Sequence, residues 1–169
     1  METGLILVVP EAEPAVADLR RRLDPNAAMG VPAHVTVLYP FRVLEQIDDE
    51  VLARLKDVFG RSRPFDLSLQ RTGRFPGVLW LAPEPREPVD ALRRALVEAF
   101  PDCKPYGGRH QDPEPHLTVA IQPHEPRLDR AARTLRRRLE RPIFARIGSC
   151  ALFAQTAHGW REQRRFPLG

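Results

Sequence analysis

An α+β fold is predicted, built of two pseudo-symmetric lobes, each a small antiparallel sheet with helices on its outer face, around a central groove. Three observations predict it. The stretch His34-Val35-Thr36-Val37 returns 82 residues later as His116-Leu117-Thr118-Val119. The segments around each copy follow one order, strand, helix, loop, strand, helix, strand, as a duplication would leave them. Helical and strand periods then place helices on one face of mainly antiparallel sheets, unlike a doubly wound fold that covers both faces. A chain of 169 residues can bury one sizeable core or two small lobes sharing a groove.

In the first half, Gly4 to Val9 is a continuous apolar run and reads as a buried strand. Glu11 to Leu23 follows with Ala15, Leu19 and Leu23 at helical spacing, and Pro14 is tolerable in a first turn. Asp24 to Ala33, rich in Pro, Gly, Asn and Ala, reads as a loop. The first HxT strand comes next, then a turn around Pro40 and a helix near Asp48 to Phe59. A strand from Phe65 to Leu69 closes this half, with Phe65, Leu67 and Leu69 alternating with polar residues.

The second half retraces that order. Val78 to Ala82 is an apolar strand after the turn Phe75-Pro76-Gly77, and Pro88 to Phe100 is a helix with Val89, Leu92, Leu96 and Phe100 in one stripe. Asp102 to Pro115 is a long loop leading to the second HxT strand. Pro126 opens a helix with Leu128, Ala131, Ala132, Leu135 and Leu139 on one face. Ile143 to Phe153 returns as a strand, and Gly159 to Phe166 adds a hairpin partner. The expected organisation is one domain over 1–169, with lobes of roughly 1–75 and 76–169 that are free to exchange strands.

The apolar and charged fractions, 43% and 28%, are those of a folded soluble chain and exclude a disordered one. The apolar run Leu5 to Val9 is far short of the ~20 residues of a membrane span. It also lacks the flanks of a signal peptide, so a cytoplasmic location is expected. Cys103 and Cys150 are too few for a disulfide framework and read as buried thiols. The formal charge of +4 is mild, and nearly all the positive charge is arginine, with Lys56 and Lys104 the only lysines. Arginine suits phosphate recognition, but alongside abundant alanine and proline it reads first as compositional bias. Arg20-Arg21-Arg22 and Arg136-Arg137-Arg138 fall within helical patterns and read as solvated faces.

The repeated motif carries the chemistry. Side chains alternate along a strand, so His34 and Thr36 point one way and Val35 and Val37 the other; His116 and Thr118 likewise oppose Leu117 and Val119. Two such strands across a groove supply two imidazoles and two hydroxyls. In-line displacement at phosphorus needs a base for the entering oxygen and an acid for the leaving one, and histidine serves as either near neutral pH. Threonine hydroxyls can hold the non-bridging oxygens. No cofactor is implied. Zinc would require a third ligand besides His34 and His116, and neither repeat supplies one.

With its two H-x-T-x motifs, His34-Val35-Thr36-Val37 and His116-Leu117-Thr118-Val119, the chain resembles the 2H phosphoesterases, within them the 2'-5' RNA ligase-like branch. Pro115, Tyr39-Pro40-Phe41 and Phe75-Pro76-Gly77-Val78-Leu79-Trp80-Leu81 share in the likeness, which covers essentially the whole chain. The resemblance implies a metal-independent phosphodiesterase acting on 2',3'-cyclic phosphates of RNA ends or nucleotides, with reversible 2'-5' ligation in some members. It also implies His116 as the base, His34 as the acid, and Thr36 and Thr118 as the phosphate clamp. One departure is visible: the first motif runs into Tyr39-Pro40-Phe41 where the better-known bacterial ligases have Phe-Leu-Gly.

Tyr39, Phe41 and Arg109 are the further candidates for substrate contact, the aromatics for stacking a base as they leave the first motif and Arg109 for phosphate. His110, His124 and His158 lack the motif and read as surface or loop residues, and Trp80 and Trp160 as packing. A monomer with no protein partner is expected. The alternatives are a non-catalytic RNA-binding module, and the same chemistry on a small nucleotide cyclic phosphate.

Overall fold

Within a computed structural model that describes residues 1–110 and 112–169, the chain runs through eight strands and five α-helices. The first half holds β1 (Thr3–Val8), α1 (Glu13–Leu23), α2 (Pro25–Ala28), β2 (His34–Leu38), α3 (Asp49–Gly60) and β3 (Phe65–Phe75). The second holds β4 (Val78–Glu84), α4 (Glu87–Ala99), β5 (Leu117–Ile121), α5 (Glu125–Arg138), β6 (Ile143–Ile147), β7 (Ser149–Thr156) and β8 (Gly159–Pro167). No helix among the described residues is long and apolar enough to cross a membrane.

Local signals account for most boundaries. Proline sits in the first turn of α1, α4 and α5, where its missing N–H costs no hydrogen bond. Asp48 caps α3 by accepting from the Val51 N–H at 2.9 Å. Between β3 and β4, Pro76-Gly77 makes the turn, and Gly77 takes the positive φ of 72° that glycine tolerates best.

All strand pairings are antiparallel, in the order β6-β3-β4-β5-β2-β1-β7-β8. The class is α+β as expected, and the two anticipated sheets are four-stranded halves of one sheet. They join at β2 and β5, where Val35 pairs with Leu117. Strands β7 and β8 complete the half that begins with β1 and β2, while β3 joins the half containing β4 and β5. The helices cross over too: α1 packs against β5, and α4 against β2.

Three sequence expectations need correction. The strand expected over Ile143 to Phe153 is two, broken at Gly148, because its first part pairs with β3 and its second with β1 and β8. The loop expected over Asp24 to Ala33 contains the short helix α2, which Asp24 caps through the Asn26 N–H. Arg20, read as part of a solvated cluster, is only 2% exposed because the Asp24 carboxylate and the Val31 carbonyl engage its guanidinium. Arg136, Arg137 and Arg138 are exposed as expected, and Cys103 and Cys150 are buried free thiols.

The core sets the register that matters for function. Val35, Val37, Leu117 and Val119 are all at most 1% exposed and join the cluster of α1, α4 and α5. Burying each contributes on the order of 1.5–3 kcal/mol. A one-residue slip of either motif strand would turn these apolar side chains to solvent and bury the imidazoles. Packing on one face therefore selects which residues stand on the other.

Candidate active site

On the uncovered side of β2 and β5, His34, Thr36, His116 and Thr118 are all half-buried. Carrying the Val35–Leu117 register one step each way sets His34 across from Thr118, and Thr36 across from His116. Cross-strand neighbours share a face, so the four side chains form a square with the histidines on one diagonal, typically about 7–8 Å apart.

Both imidazoles are oriented by the same local device. His34 Nδ1 lies 2.7 Å from the Pro32 carbonyl oxygen, and His116 Nδ1 lies 2.7 Å from that of Glu114. A carbonyl only accepts, so in each ring Nδ1–H donates, and Nε2 of the neutral ring carries the lone pair. In both repeats the acceptor stands two residues before the histidine.

Burial pushes the His34 imidazole down to about 4; the Pro32 bond opposes this, while the Arg20 and His116 charges add to it. His116 is lowered as well, first by burial and then by Arg93, against the Glu114 carbonyl bond and the Glu114 charge. Near neutral pH the free site therefore holds two neutral imidazoles. A bound anion would raise both values, because a nearby negative charge favours the cationic form.

The surroundings differ between the two histidines. Beside His34 and Thr36 is a cavity of about 170 Å³, lined also by Asn26, Tyr39, Phe153 and Trp160. Tyr39 meets Trp160 edge-on at 5.9 Å, and its hydroxyl donates to Glu2 at 2.6 Å. Burial, that hydrogen bond and the Glu2 charge push the Tyr39 phenol up to about 12. His116 instead lies among rings: Phe75 edge-on at 5.1 Å, Trp80 at 6.1 Å and Tyr106 stacked at 6.5 Å. Trp80 is opposite Thr118 on the adjacent strand, and its ring lies over Gly73, where a Cβ would collide with it.

The structure separates the candidate substrate contacts. Tyr39 lines the cavity with His34. Phe41 does not: it is 7% exposed and packs edge-on against Phe100 at 5.1 Å, because the chain turns back into the core after Pro40. Arg109 is exposed on the loop before the second motif and lines neither this cavity nor the broader one of about 980 Å³ beside α4. His110 lines that broader cavity, and His124 and His158 are exposed. Sequence reasoning missed Trp160, which reads as packing yet walls the His34 cavity, and also Asn26, Phe75 and Tyr106. Asn26 and Tyr106 stand on the segments leading into the two motifs, Phe75 just before the Pro76-Gly77 turn and Trp160 in the final hairpin, and no periodic signal aims any of them at the site. Among the described residues no three His, Cys, Asp or Glu side chains converge as metal ligands.

Known proteins share this architecture. The family model described as the 2'-5' RNA ligase superfamily matches residues 8–158. A Bacillus licheniformis protein whose phosphoesterase name is itself provisional is 28% identical over 124 residues, covering 71% of this chain and 70% of its own length. A Bacillus pumilus protein with the same provisional name is 29% identical over 128 residues, with the same coverage of 71% and 70%. Among solved structures, a Thermus thermophilus protein superposes with a TM-score of 0.64 at 20% identity, covering 99% of this chain and 98% of its own. Escherichia coli LigT complexed with NADP+ superposes at 0.61 and 17% identity, covering 99% and 96%. LigT complexed with 3'-AMP gives 0.58 and 18% identity, covering 99% and 97%.

Proposed function

This chain belongs to the 2'-5' RNA ligase superfamily, and from that premise we propose that it hydrolyses 2',3'-cyclic phosphates of RNA ends or nucleotides to 2'-phosphates. The observation that carries the reading is the square of two histidines and two threonines, with each Nδ1 hydrogen-bonded behind and each Nε2 left for substrate.

In the proposed reaction the cyclic phosphate lies between the imidazoles, with Thr36 and Thr118 donating to its non-bridging oxygens. His116 Nε2 takes a proton from water as the water oxygen bonds to phosphorus. The bond from phosphorus to O3' breaks on the opposite side, and His34, protonated at Nε2, gives its proton to that oxygen. The products are a 2'-phosphate and a free 3'-hydroxyl. Because His34 resists protonation in the free site, the anionic substrate is what makes its imidazolium accessible. With a 5'-hydroxyl end in place of water as the attacking group and O3' again leaving, the same groups would support 2'-5' ligation, and its reverse would cleave the 2'-5' linkage.

The cavity beside His34, with Tyr39 and Trp160 as walls, has room for one base. It supports a nucleotide or the terminal residue of an RNA as the bound unit. LigT has been crystallised with nucleotides, NADP+, 3'-AMP and ATP among them, on the same fold. The deciding experiment is turnover of a 2',3'-cyclic mononucleotide and of an oligonucleotide ending in a 2',3'-cyclic phosphate, with His34→Ala and His116→Ala as controls. If wild type turns over neither and binds RNA with steep salt dependence, the chain is a binding module.

A further inference from the structure

Each histidine is held by the carbonyl two residues before it, so the loop presenting that carbonyl must itself be held. A buried arginine reaches each of these loops. Arg20 of α1, 2% exposed, donates from Nη2 to the Val31 carbonyl at 3.1 Å, three residues before His34. Arg93 of α4, 6% exposed, donates from Nη1 to the Pro113 carbonyl at 2.8 Å, three residues before His116. The contact is the same in both repeats, although Arg20 stands 14 residues before its histidine and Arg93 stands 23 before its own.

The surrounding frame is repeated too. Seven residues before each arginine, two turns back on the same helical side, a second charged group takes hold of the same loop. Glu13 accepts the Ala33 N–H at 2.7 Å, and Arg86 donates to the Glu114 carboxylate at 2.8 Å. An aspartate steadies each guanidinium: Asp24 accepts from Arg20 Nε and Nη2 at 3.1 and 2.9 Å, and Asp90 accepts from Arg93 Nη1 at 3.2 Å. Arg93 Nε also donates to the Val37 carbonyl of β2 at 3.1 Å, tying the second motif's loop to the first motif's strand.

A buried guanidinium carries a large desolvation penalty, which these bonds must offset. An apolar side chain would fill either position at no such penalty. We propose that Arg20 and Arg93 are the positioning residues of the two histidines, each fixing the loop whose carbonyl holds its own imidazole in the Nδ1–H tautomer with Nε2 facing the phosphate. The inference rests on the phosphodiesterase reading for its purpose but not for its test. The charged and titratable groups facing His34 are Arg20 from α1 and His116, which immediately precedes β5; those facing His116 are Arg93 from α4 and Glu114 from its own loop. Each arginine therefore also opposes a proton on its own histidine.

The test is ¹⁵N NMR of the imidazoles in the full chain, in wild type and in Arg20→Gln and Arg93→Gln. Wild type is expected to show both histidines as Nδ1–H tautomers at about pH 8, well above the ordinary histidine value. Arg20→Gln should mix the tautomers of His34 and raise its midpoint while leaving His116 in place, and Arg93→Gln should do the reverse. Turnover of a cyclic nucleotide should fall about 100-fold in kcat, with KM little changed, as for a misaimed group. Selective movement of one histidine per arginine supports the proposal whether or not any cyclic phosphate is hydrolysed. Movement of both together, or of neither, overturns it. If a glutamine variant does not fold, Arg20→Lys and Arg93→Lys are read in its place by the tautomer alone, since lysine keeps the charge and loses the guanidinium fork. An Nε2–H tautomer at either histidine in wild type overturns the proposal with no variant at all.

Discussion

Val35 and Leu117 face each other where the two halves of the sheet join, and their pairing brings the two histidines together. Both side chains are fully buried, so the contact is purely structural. Yet each lies between a histidine and a threonine in the chain, and setting one against the other assembles the square. The site is thus a consequence of core packing at the seam between the repeats.

Removing either imidazole should abolish the proposed reaction. His34→Ala and His116→Ala are each expected to lower kcat on a 2',3'-cyclic nucleotide by about 10²–10⁴-fold, the usual worth of general acid–base catalysis. The double variant should be little worse than the worse single, since the two act as one unit. Full additivity in steady-state kinetics would show that they do not work on the same step.

The threonines give a finer test, because Thr→Val keeps shape and removes only the hydroxyl. Thr36→Val and Thr118→Val should each cost about 10²-fold in kcat if the hydroxyls stabilise charge developing on the phosphate oxygens. Thr→Ser at either position should retain most activity. A change confined to KM would instead mean that the hydroxyls bind substrate and transition state equally.

The pH dependence follows from burial of the histidines. One must be neutral and one protonated, so kcat/KM should be bell-shaped. The free protein lowers both, His34 to about 4. The centre of the bell in kcat/KM should therefore lie below the ordinary histidine value of about 6.5. In the complex the substrate anion raises both values, so the kcat profile should be displaced to higher pH than that of kcat/KM. A rate that climbs steadily with pH would point to a hydroxide mechanism. Activity is expected to survive a chelator.

Much of this site was legible because strand period and duplication are local signals. The alternation of His34 and Thr36 with Val35 and Val37 can be read from single residues, and the copy at His116 locates its partner. Exchange of strands between halves can be allowed for but not read, since nothing local in Ile143 to Phe153 says that Gly148 divides two sheet halves. Phe41 escapes for a related reason: past Pro40 the strand parity no longer predicts direction. Arg20 sits in a basic run whose composition says solvent, and only the fold shows a carbonyl and a carboxylate waiting for it. Trp160 enters from a hairpin more than a hundred residues from either Tyr39 or His34, a distance no periodicity spans.

Trp160 and Phe41 make a contrasting pair. Trp160 walls the His34 cavity, so Trp160→Ala should weaken substrate binding by the ~1–3 kcal/mol of a stacked base, raising KM about 5- to 150-fold. Phe41 lies in the core against Phe100, so Phe41→Ala should cost about 3–5 kcal/mol of stability and leave the KM of the folded fraction unchanged. Denaturant melts and steady-state kinetics on both variants would separate the roles. A KM effect in Phe41→Ala at full folding would put Phe41 back at the substrate.

The depressed His34 value also makes a stability prediction. In the unfolded chain a histidine takes up its proton near pH 6.5, whereas folded His34 does so only near 4. Between those values the unfolded state binds the extra proton, so stability falls as pH falls, by a total of about 3 kcal/mol. His34→Gln has no such proton to take up, and its stability should drop less than that of wild type over the same window. His116 contributes in the same direction. Asp18, held at about 2 by Arg138, releases its contribution only below its ordinary value of 3.8, so its effect lies outside the window. Urea melts of wild type and His34→Gln at about pH 7, 5.5 and 4.5, which bracket the unfolded value, measure the difference. Parallel loss of stability in the two proteins would show that folded His34 titrates like a free histidine, and the burial argument for its neutrality would fail.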